Sequence, residues 1–152
     1  MNYNEKTVAQ STVEMTELVL PNDTNLLKNL LGGRLLHWID IAGAMSATRH
    51  ANRNVATVAI DSVEFRHPIS MGDIVILRSK LIWVGRTSMK VLVDIFSENK
   101  FSGEMKQTNT ALLTFVALDE NAHPTPVPRL KLETDEEKKL FSDEEKKRNA
   151  KT

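Results

Sequence analysis

The sequence predicts an α+β domain in which an antiparallel sheet wraps around one long central helix, with a charged helix at the C-terminus. Three observations support this prediction. Residues 32–50 are mostly apolar and follow a helical period. Four later segments are rich in β-branched residues and are separated by turn-forming residues. Residues 131–152 are dominated by acidic and basic side chains.

We expect the chain to divide into three regions. Residues 1–10 are polar and are expected to form a flexible lead-in, residues 11–128 the folded domain, and residues 129–152 a charged helical tail. A length of 152 residues is enough for one domain with a buried core. Three closely spaced prolines at 124–128 favour an end of the domain there, because prolines cannot continue a strand ladder.

Composition and charge exclude several classes of function. The chain has 20 basic and 20 acidic residues, so no net field attracts nucleic acid or an anionic membrane surface. It has no cysteine, which excludes disulfides, thiolate metal sites and a cysteine nucleophile. The four histidines lack metal-ligand spacing, and no apolar run is long enough to span a membrane. Because residues 1–10 also lack the apolar core of a secretion signal, we expect a cytoplasmic protein with no metal, nucleic-acid or membrane partner.

The elements before the long helix are predicted to be a strand, a loop and a short helical turn. Apolar and polar residues alternate over 11–20, which predicts the strand. Residues 21–25 are dense in Pro, Asn and Asp, whose side chains favour turns, and they predict the loop. Residues 26–31 are expected to form the helical turn.

The long helix begins at two glycines, Gly32 and Gly33. Glycine allows the backbone to approach another group closely, and the free N–H groups at a helix start can stabilise an oxyanion or a phosphate. The same pair also fits a simple turn or tight packing, so both interpretations stay open. Little of the helix surface is polar, and we therefore expect most of it to be buried.

Asp40 is the only acidic residue in this helix, and small side chains border it. Burying an unpaired carboxylate costs roughly several kcal/mol. Asp40 is therefore paired with His37, bonded to a neighbouring strand, exposed at the edge of a cleft, or used in chemistry.

The second half of the chain predicts a meander of four strands over residues 55–66, 73–84, 88–98 and 104–119. The short connections between them favour antiparallel pairing. One buried helix followed by such a meander predicts a sheet that curls around the helix.

The C-terminal tail carries two similar charge blocks at residues 135–139 and 143–147. Glu and Lys at this spacing support an exposed helix. We expect a solvated helix, with Leu140 and Phe141 able to pin it to the domain.

Taken together, these segments resemble the hotdog-fold acyl-CoA thioesterases. The matching residues follow family order at 21–25, 32–33, 38–40, 49–50, 55–57, 63–65, 68–69, 72–73, 85–89, 114–119 and 126–128. The sequence departs from the family pattern at Lys28, where the family usually has glycine, and at Leu31, where a bulkier residue often precedes the glycine pair. These departures affect the mouth of the acyl pocket and leave Asn25 and Asp40 unchanged.

The resemblance implies an active site that two subunits share. Asp40 would act on the thioester as general base or nucleophile, and Asn25 would come from the partner subunit. Thr57 would lie beside Asp40, and N–H groups near Gly33 would receive the charge that develops on the carbonyl oxygen. The minimum assembly would be a homodimer, and a trimer of dimers, a hexamer, is the form that the family implies.

The resemblance also implies that coenzyme A is bound as part of the substrate, so no separate cofactor is expected. Basic residues should meet its phosphates. Arg86 is the first candidate, with Thr87 and Ser88 in the same turn, and Arg49 and His50 are the second. Arg86 equally fits a solvated turn residue, and His50 equally fits a residue that interacts with the helix dipole.

Two other functions stay open at this point. A non-catalytic module that senses acyl-CoA or a nucleotide would bind its ligand without releasing thiol. A hotdog dehydratase acting on a hydroxyacyl thioester would need a histidine base, whereas this sequence offers Asn25 and Asp40.

Overall fold

A five-stranded antiparallel sheet and a 20-residue helix form the core of the protein. The structure is a computed structural model that describes residues 4–150. In chain order its elements are β1 (Glu5–Thr7), α1 (Val8–Ser11), β2 (Val13–Leu18), α2 (Gly32–Ala51), β3 (Asn54–Phe65), β4 (Ile74–Val84), β5 (Ser88–Glu98), β6 (Met105–Leu118), β7 (Arg129–Lys131) and α3 (Asp135–Ala150). The large sheet has the order β2-β4-β5-β6-β3, so β2 and β3 are its edges. The predicted antiparallel sheet around one long helix is confirmed, but the four-strand meander is wrong in one respect: β3 pairs with β6 at the far edge and not with β4, so only β4, β5 and β6 follow one another in the sheet.

The inner face of the sheet packs against α2. Alternate residues of the central strands point inward, and the inward rows of β5 and β6 are almost wholly apolar and inaccessible to solvent. Gly43 lies against Phe115, where an added Cβ would approach the ring to 3.0 Å. The Ser79 hydroxyl also donates to the carbonyl of Ala42 at 2.8 Å, and Ser46 contacts the same hydroxyl. Small side chains therefore bring helix and sheet close together.

One strip of α2 remains open to solvent, which differs from the mostly buried helix that we expected. It includes the polar Arg34 and His37 and also the apolar Ile41 and Met45. Nine of the 20 helix residues are buried, all of them on the side facing the sheet or the flanking segments. A single chain thus leaves apolar helix surface uncovered.

The segment between β2 and α2 has no helical turn at residues 26–31, so that prediction is wrong; a single 3₁₀ turn lies earlier, at Pro21–Asp23, within the predicted loop. The side chain of Asn25 instead accepts N–H bonds from Leu27 and Asn29, at 2.9 and 3.2 Å. Such a local bond competes with helix formation. Lys28 adopts a left-handed conformation with φ 62°, and its carbonyl accepts from the N–H of Met71.

The described residues before β2 form regular secondary structure, whereas we expected a flexible lead-in there. Strand β1 pairs in parallel with β7, and Thr7 and Gln10 form a capping box at the start of α1. The pairing partner of β1 lies more than 120 residues away. The local residue pattern therefore could not predict this pairing. Residues 1–3 lie outside the described residues.

Helix α3 confirms the predicted C-terminal helix, and it lies on the outer face of the sheet. The Phe141 ring is 6.4 Å from that of Trp83, and the Arg148 guanidinium stacks 4.0 Å from Trp83. Lys90, which is buried, lies 3.7 Å from Glu144. Phe141 thus pins the helix as expected, and a buried ion pair joins it. Between residues 4 and 150, no helix has both the length and the apolar character needed to cross a membrane.

Candidate active site

Asp40 is hydrogen-bonded to a neighbouring strand, which is one of the alternatives left open by the sequence. The hydroxyl of Thr57 on β3 donates to Asp40 Oδ1 at 2.7 Å. Thr57 pairs with Phe115, whose ring is buried on the inner face, and opposed residues of an antiparallel pair share a face. This register turns Thr57 toward α2. A bulge at Val58 directly follows, and bulges commonly re-aim side chains next to functional sites.

The bond leaves half of the carboxylate available. Asp40 is half-buried, and within residues 4–150 no hydrogen bond is made to its Oδ2. A carboxylate with one oxygen held and the other open can accept a proton or attack an electrophilic carbon.

The glycine pair at the start of α2 is open on its outer side. A Cβ built on Gly32 or Gly33 would meet no atom within 4 Å, and neither residue has a positive φ. Tight packing within the chain therefore does not explain them, although glycine costs up to about 1 kcal/mol in a helix relative to alanine. The residue before them, Leu31, offers no capping side chain. An approaching molecule can reach the first N–H groups of the helix.

Asn25 lies on an exposed loop, and no hydrogen bond joins it to Asp40 among the described residues. Its Oδ1 is occupied by the two loop N–H groups, whereas its Nδ2 stays free to donate outward. The next two residues, Leu26 and Leu27, are strongly exposed apolar side chains. This loop presents a polar donor and an apolar tip on the outside of the chain.

The turn between β4 and β5 places Arg86 on the wall of an open cleft of about 480 Å³. Arg129 and Trp83 line the same cleft, and α3 contributes Phe141. Arg86 is exposed, and its carbonyl accepts from the N–H of Val127. The two arginines bring positive charge to this cleft, which also contains Glu145, the acceptor of the Trp83 Nε1–H bond. Thr87 and Ser88 are half-buried in the same turn.

The structure contradicts an exposed, ligand-binding role for His50. The side chain is 0 % exposed, and its Nε2 lies 2.8 Å from the carbonyl oxygen of Pro128. Burial lowers the pKa of His50, the Pro128 bond partly offsets this effect, and the charges of Lys6 and Arg129 reinforce it. A neutral ring also disfavours an interaction with the helix dipole.

Arg49, the residue before His50, is exposed and donates to the carbonyl of Thr12 at 2.9 Å. The backbone carbonyl of Arg49 also accepts from Lys6. The structure therefore gives Arg49 a role in holding the N-terminal segment against the end of α2.

Sequence reasoning missed Asn109, which lines a cavity of about 180 Å³ at the start of α2. Asn109 continues the inward row of β6 that includes Ala111, Leu113 and Phe115. A polar amide in an otherwise apolar inward row is the signal that could have identified it. The described residues contain no group of three or more His, Asp or Glu side chains arranged to hold a metal ion.

Comparison with known proteins identifies the class of protein to which this chain belongs. Residues 27–100 match the sequence model of the Thioesterase superfamily. The "Uncharacterized acyl-CoA thioester hydrolase YkhA" of Bacillus subtilis is 45% identical over 128 residues, which cover 84% of this chain and 74% of the relative. The chain belongs to the acyl-CoA thioester hydrolase family of this superfamily.

Solved structures agree with this assignment and confirm the hotdog fold. An acyl-CoA hydrolase from Staphylococcus aureus, solved with butyryl coenzyme A and coenzyme A, is 33% identical, with a TM-score of 0.87 over 97% of this chain and 92% of that one. An apo-hexameric acyl-CoA thioesterase is 40% identical, with a TM-score of 0.88 over 96% and 97% of the two chains. The S. aureus protein was also solved with single alanine replacements of an asparagine, an aspartate and a threonine.

Proposed function

We propose that this chain hydrolyses the thioester of acyl-CoA to a free carboxylic acid and CoA. In this proposal Asp40 and Thr57 belong to one subunit, and Asn25 comes from the partner together with the N–H of Gly33, because seven residues of α2 separate Gly33 from Asp40 by about 10 Å. The observation that carries the proposal is the hydrogen bond from Thr57 to Asp40, which leaves the second oxygen of the carboxylate without a partner among the described residues.

The proposed reaction needs only the acyl-CoA substrate, water and groups of the protein. No separate cofactor takes part. Asp40 takes a proton from a water molecule, whose oxygen attacks the thioester carbon. The C–S bond then breaks, and the CoA thiolate leaves and takes up a proton. In the alternative route Asp40 itself attacks, and water hydrolyses the resulting anhydride. In both routes the N–H of Gly33 stabilises the charged oxygen and Asn25 Nδ2 orients the attacking group.

The S. aureus relative supports this choice of residues. Its three replaced residues are separated by 15 and 17 positions, the same separations that relate Asn25, Asp40 and Thr57. The residue types also agree in order. We therefore propose that Asn25 and Asp40 act on the substrate and that Thr57 positions Asp40.

The exposed surface supports a homo-oligomer with a dimer as its minimum unit. Strand β3 is a 12-residue edge strand, and Val58, Ile60 and Phe65 on it are exposed. The open strip of α2 adds Ile41 and Met45. A long apolar edge is a site for pairing with another chain. We infer that two copies pair here and that three such dimers assemble into a hexamer, the assembly for which one relative is named.

We infer that the phosphates of CoA contact Arg86, with Thr87 and Ser88 as further donors in the turn. The cleft beside Arg86 also contains Trp83 and Arg129. A guanidinium donates paired hydrogen bonds to phosphate.

Thiol release from a panel of short to long acyl-CoAs tests the proposed function. We expect release by the parent protein and a loss of about 10²–10⁴-fold in kcat for Asp40→Asn, with unchanged circular dichroism. Asp94→Asn is the matched control, because this half-buried carboxylate accepts from Gln107 and Thr110 away from the site. Binding of acyl-CoA by the parent without any thiol release would contradict hydrolysis and favour the sensing module.

A further inference from the structure

The cavity at the start of α2 is not explained by the catalytic groups alone. Its volume of about 180 Å³ is well above the roughly 10–15 Å³ that one water needs. Apolar side chains form most of its wall, including Leu30, Leu35, Phe65 and Ile69. The cavity therefore suits a short aliphatic group.

Asn109 adds one buried polar atom to this apolar wall. Its side chain is 1 % exposed, and its Nδ2 donates to the carbonyl of Glu64 at 3.0 Å. Its Oδ1 is buried and has no hydrogen-bond partner among the described residues. An unpaired buried acceptor costs about 1–3 kcal/mol. A ligand that donates a hydrogen bond would remove this cost.

The position of the cavity connects it to the proposed reaction. Gly32 lines the cavity, and Gly33 is the next residue. A thioester whose carbonyl oxygen lies at the Gly33 N–H therefore has this cavity beside it. Asn109 lies opposite Phe65 in the β3–β6 pairing, so the amide and the ring belong to the same wall.

We propose that Asn109 is a specificity-determining residue and that this cavity receives short acyl groups that carry a hydroxyl. The inference rests on the proposed thioesterase function. The hydroxyl donates to Asn109 Oδ1 while the carbon chain packs on Leu35 and Phe65. Arg66 and His67 also line the cavity, and the Arg66 guanidinium pairs with the Glu64 carboxylate at 2.7 Å.

The test compares kcat/KM for butyryl-CoA with kcat/KM for 3-hydroxybutyryl-CoA and 2-hydroxybutyryl-CoA. We expect the parent protein to prefer at least one hydroxylated substrate by about tenfold, the effect of one buried hydrogen bond. In Asn109→Leu, which keeps the branching at Cγ but has no acceptor, this ratio falls to about one. Gln107→Leu is the matched control, because Gln107 is exposed on the same strand and makes its bonds outside the cavity, so the ratio stays at the parent value.

The outcomes separate this inference from the proposed function. Thiol release from all three substrates with equal kcat/KM overturns the role of Asn109 and leaves hydrolysis intact. The absence of release from every acyl-CoA overturns both. If Asn109→Leu does not fold, the ratio measured on the parent protein decides the question alone.

Discussion

The Thr57 hydroxyl donates a 2.7 Å hydrogen bond to Asp40 Oδ1 and so links the edge strand β3 to the central helix α2. The contact holds one oxygen of the carboxylate, and the other faces the region where we place the reacting water. In this arrangement Thr57 is a positioning residue, because it acts on the reaction through Asp40. Its register opposite the buried Phe115 directs the hydroxyl toward the helix.

We predict that Thr57→Val lowers kcat by about 10–100-fold, the value of a hydrogen bond to a charged group, with a smaller change in KM. Thr57→Ser keeps the hydroxyl and should retain most of the activity. Thr114→Val is the matched control, because Thr114 donates an equally short bond to Asp61 on the outer face. Steady-state thiol release measures all three. Equal losses in Thr57→Val and Thr57→Ser would show that the methyl packing, and not the hydroxyl, matters.

A second prediction concerns the sharing of the site between subunits. Asn25→Ala and Asp40→Asn should each be nearly inactive alone. When the two variant subunits are co-expressed, about a quarter of the parent activity should return, because half of the symmetric dimers are mixed and one of their two sites is intact. The measurement is specific activity of the purified mixture, with each variant alone as control. A mixture no more active than its components would place both residues in one subunit's site.

The sequence predicts the local elements of this fold well, because their signals lie within each segment. Strand β5 begins and ends at the predicted residues, Ser88 and Glu98, between a Gly-Arg-Thr turn and an Asn-Lys turn. Helix α2 begins at the predicted Gly32 and ends one residue later than expected. Asp40 is singled out as the only carboxylate in an apolar helix.

Features that depend on contacts between distant segments were not predictable in this way. The burial of His50 results from the segment around Pro128 covering the end of α2. The exposed face of α2 could not be anticipated from its apolar pattern, because Ile41 and Met45 have the same character as core residues. The amide of Asn109 interrupts an apolar row that the sequence already shows, but the missing partner of its oxygen depends on the folded chain.

The cleft beside Trp83 gives a third prediction, for recognition of CoA. Arg86→Ala should lower kcat/KM for acyl-CoA by about tenfold or more, mainly by raising KM, since the phosphates are bound equally in ground and transition states. The variant should match the parent on an acyl N-acetylcysteamine thioester, which has no phosphates. Arg53→Ala, in another exposed turn, is the control and should behave as the parent. Equal effects of Arg86→Ala on both kinds of substrate would contradict phosphate binding.

The attachment of α3 to the sheet gives a fourth prediction. The side chains of Lys90 and Glu144 are only 10% and 6% exposed, and Lys90 also bonds Asp61 at 2.9 Å. Glu144→Gln should lower the free energy of unfolding by about 1–3 kcal/mol, less than the roughly 3–5 kcal/mol of a fully unpaired buried charge, because Asp61 remains.

Urea unfolding at fixed protein concentration measures this effect. Asp143→Asn makes the same chemical change one residue earlier, in an exposed pair with Lys139 at 3.3 Å. That control should change stability by no more than about 0.5 kcal/mol. An equally small effect of Glu144→Gln would show that the helix is held by Phe141 and its apolar neighbours instead.

His50 gives the last prediction, for the dependence of stability on pH. Burial lowers its pKa in the folded protein below the ordinary value of 6.5. As the pH falls below about 6.5, the unfolded chain takes up a proton that the folded chain does not, so the free energy of unfolding decreases. Above this pH the ring is neutral in both states and adds no pH dependence.

His50→Gln retains an N–H donor for the Pro128 carbonyl and cannot titrate, so its melting temperature should fall less between pH 7.5 and 5.5 than that of the parent. His37→Gln, at an exposed position of the same helix, should keep the full pH dependence. Parallel melting curves for the parent and His50→Gln across this range would assign the acid sensitivity to other groups.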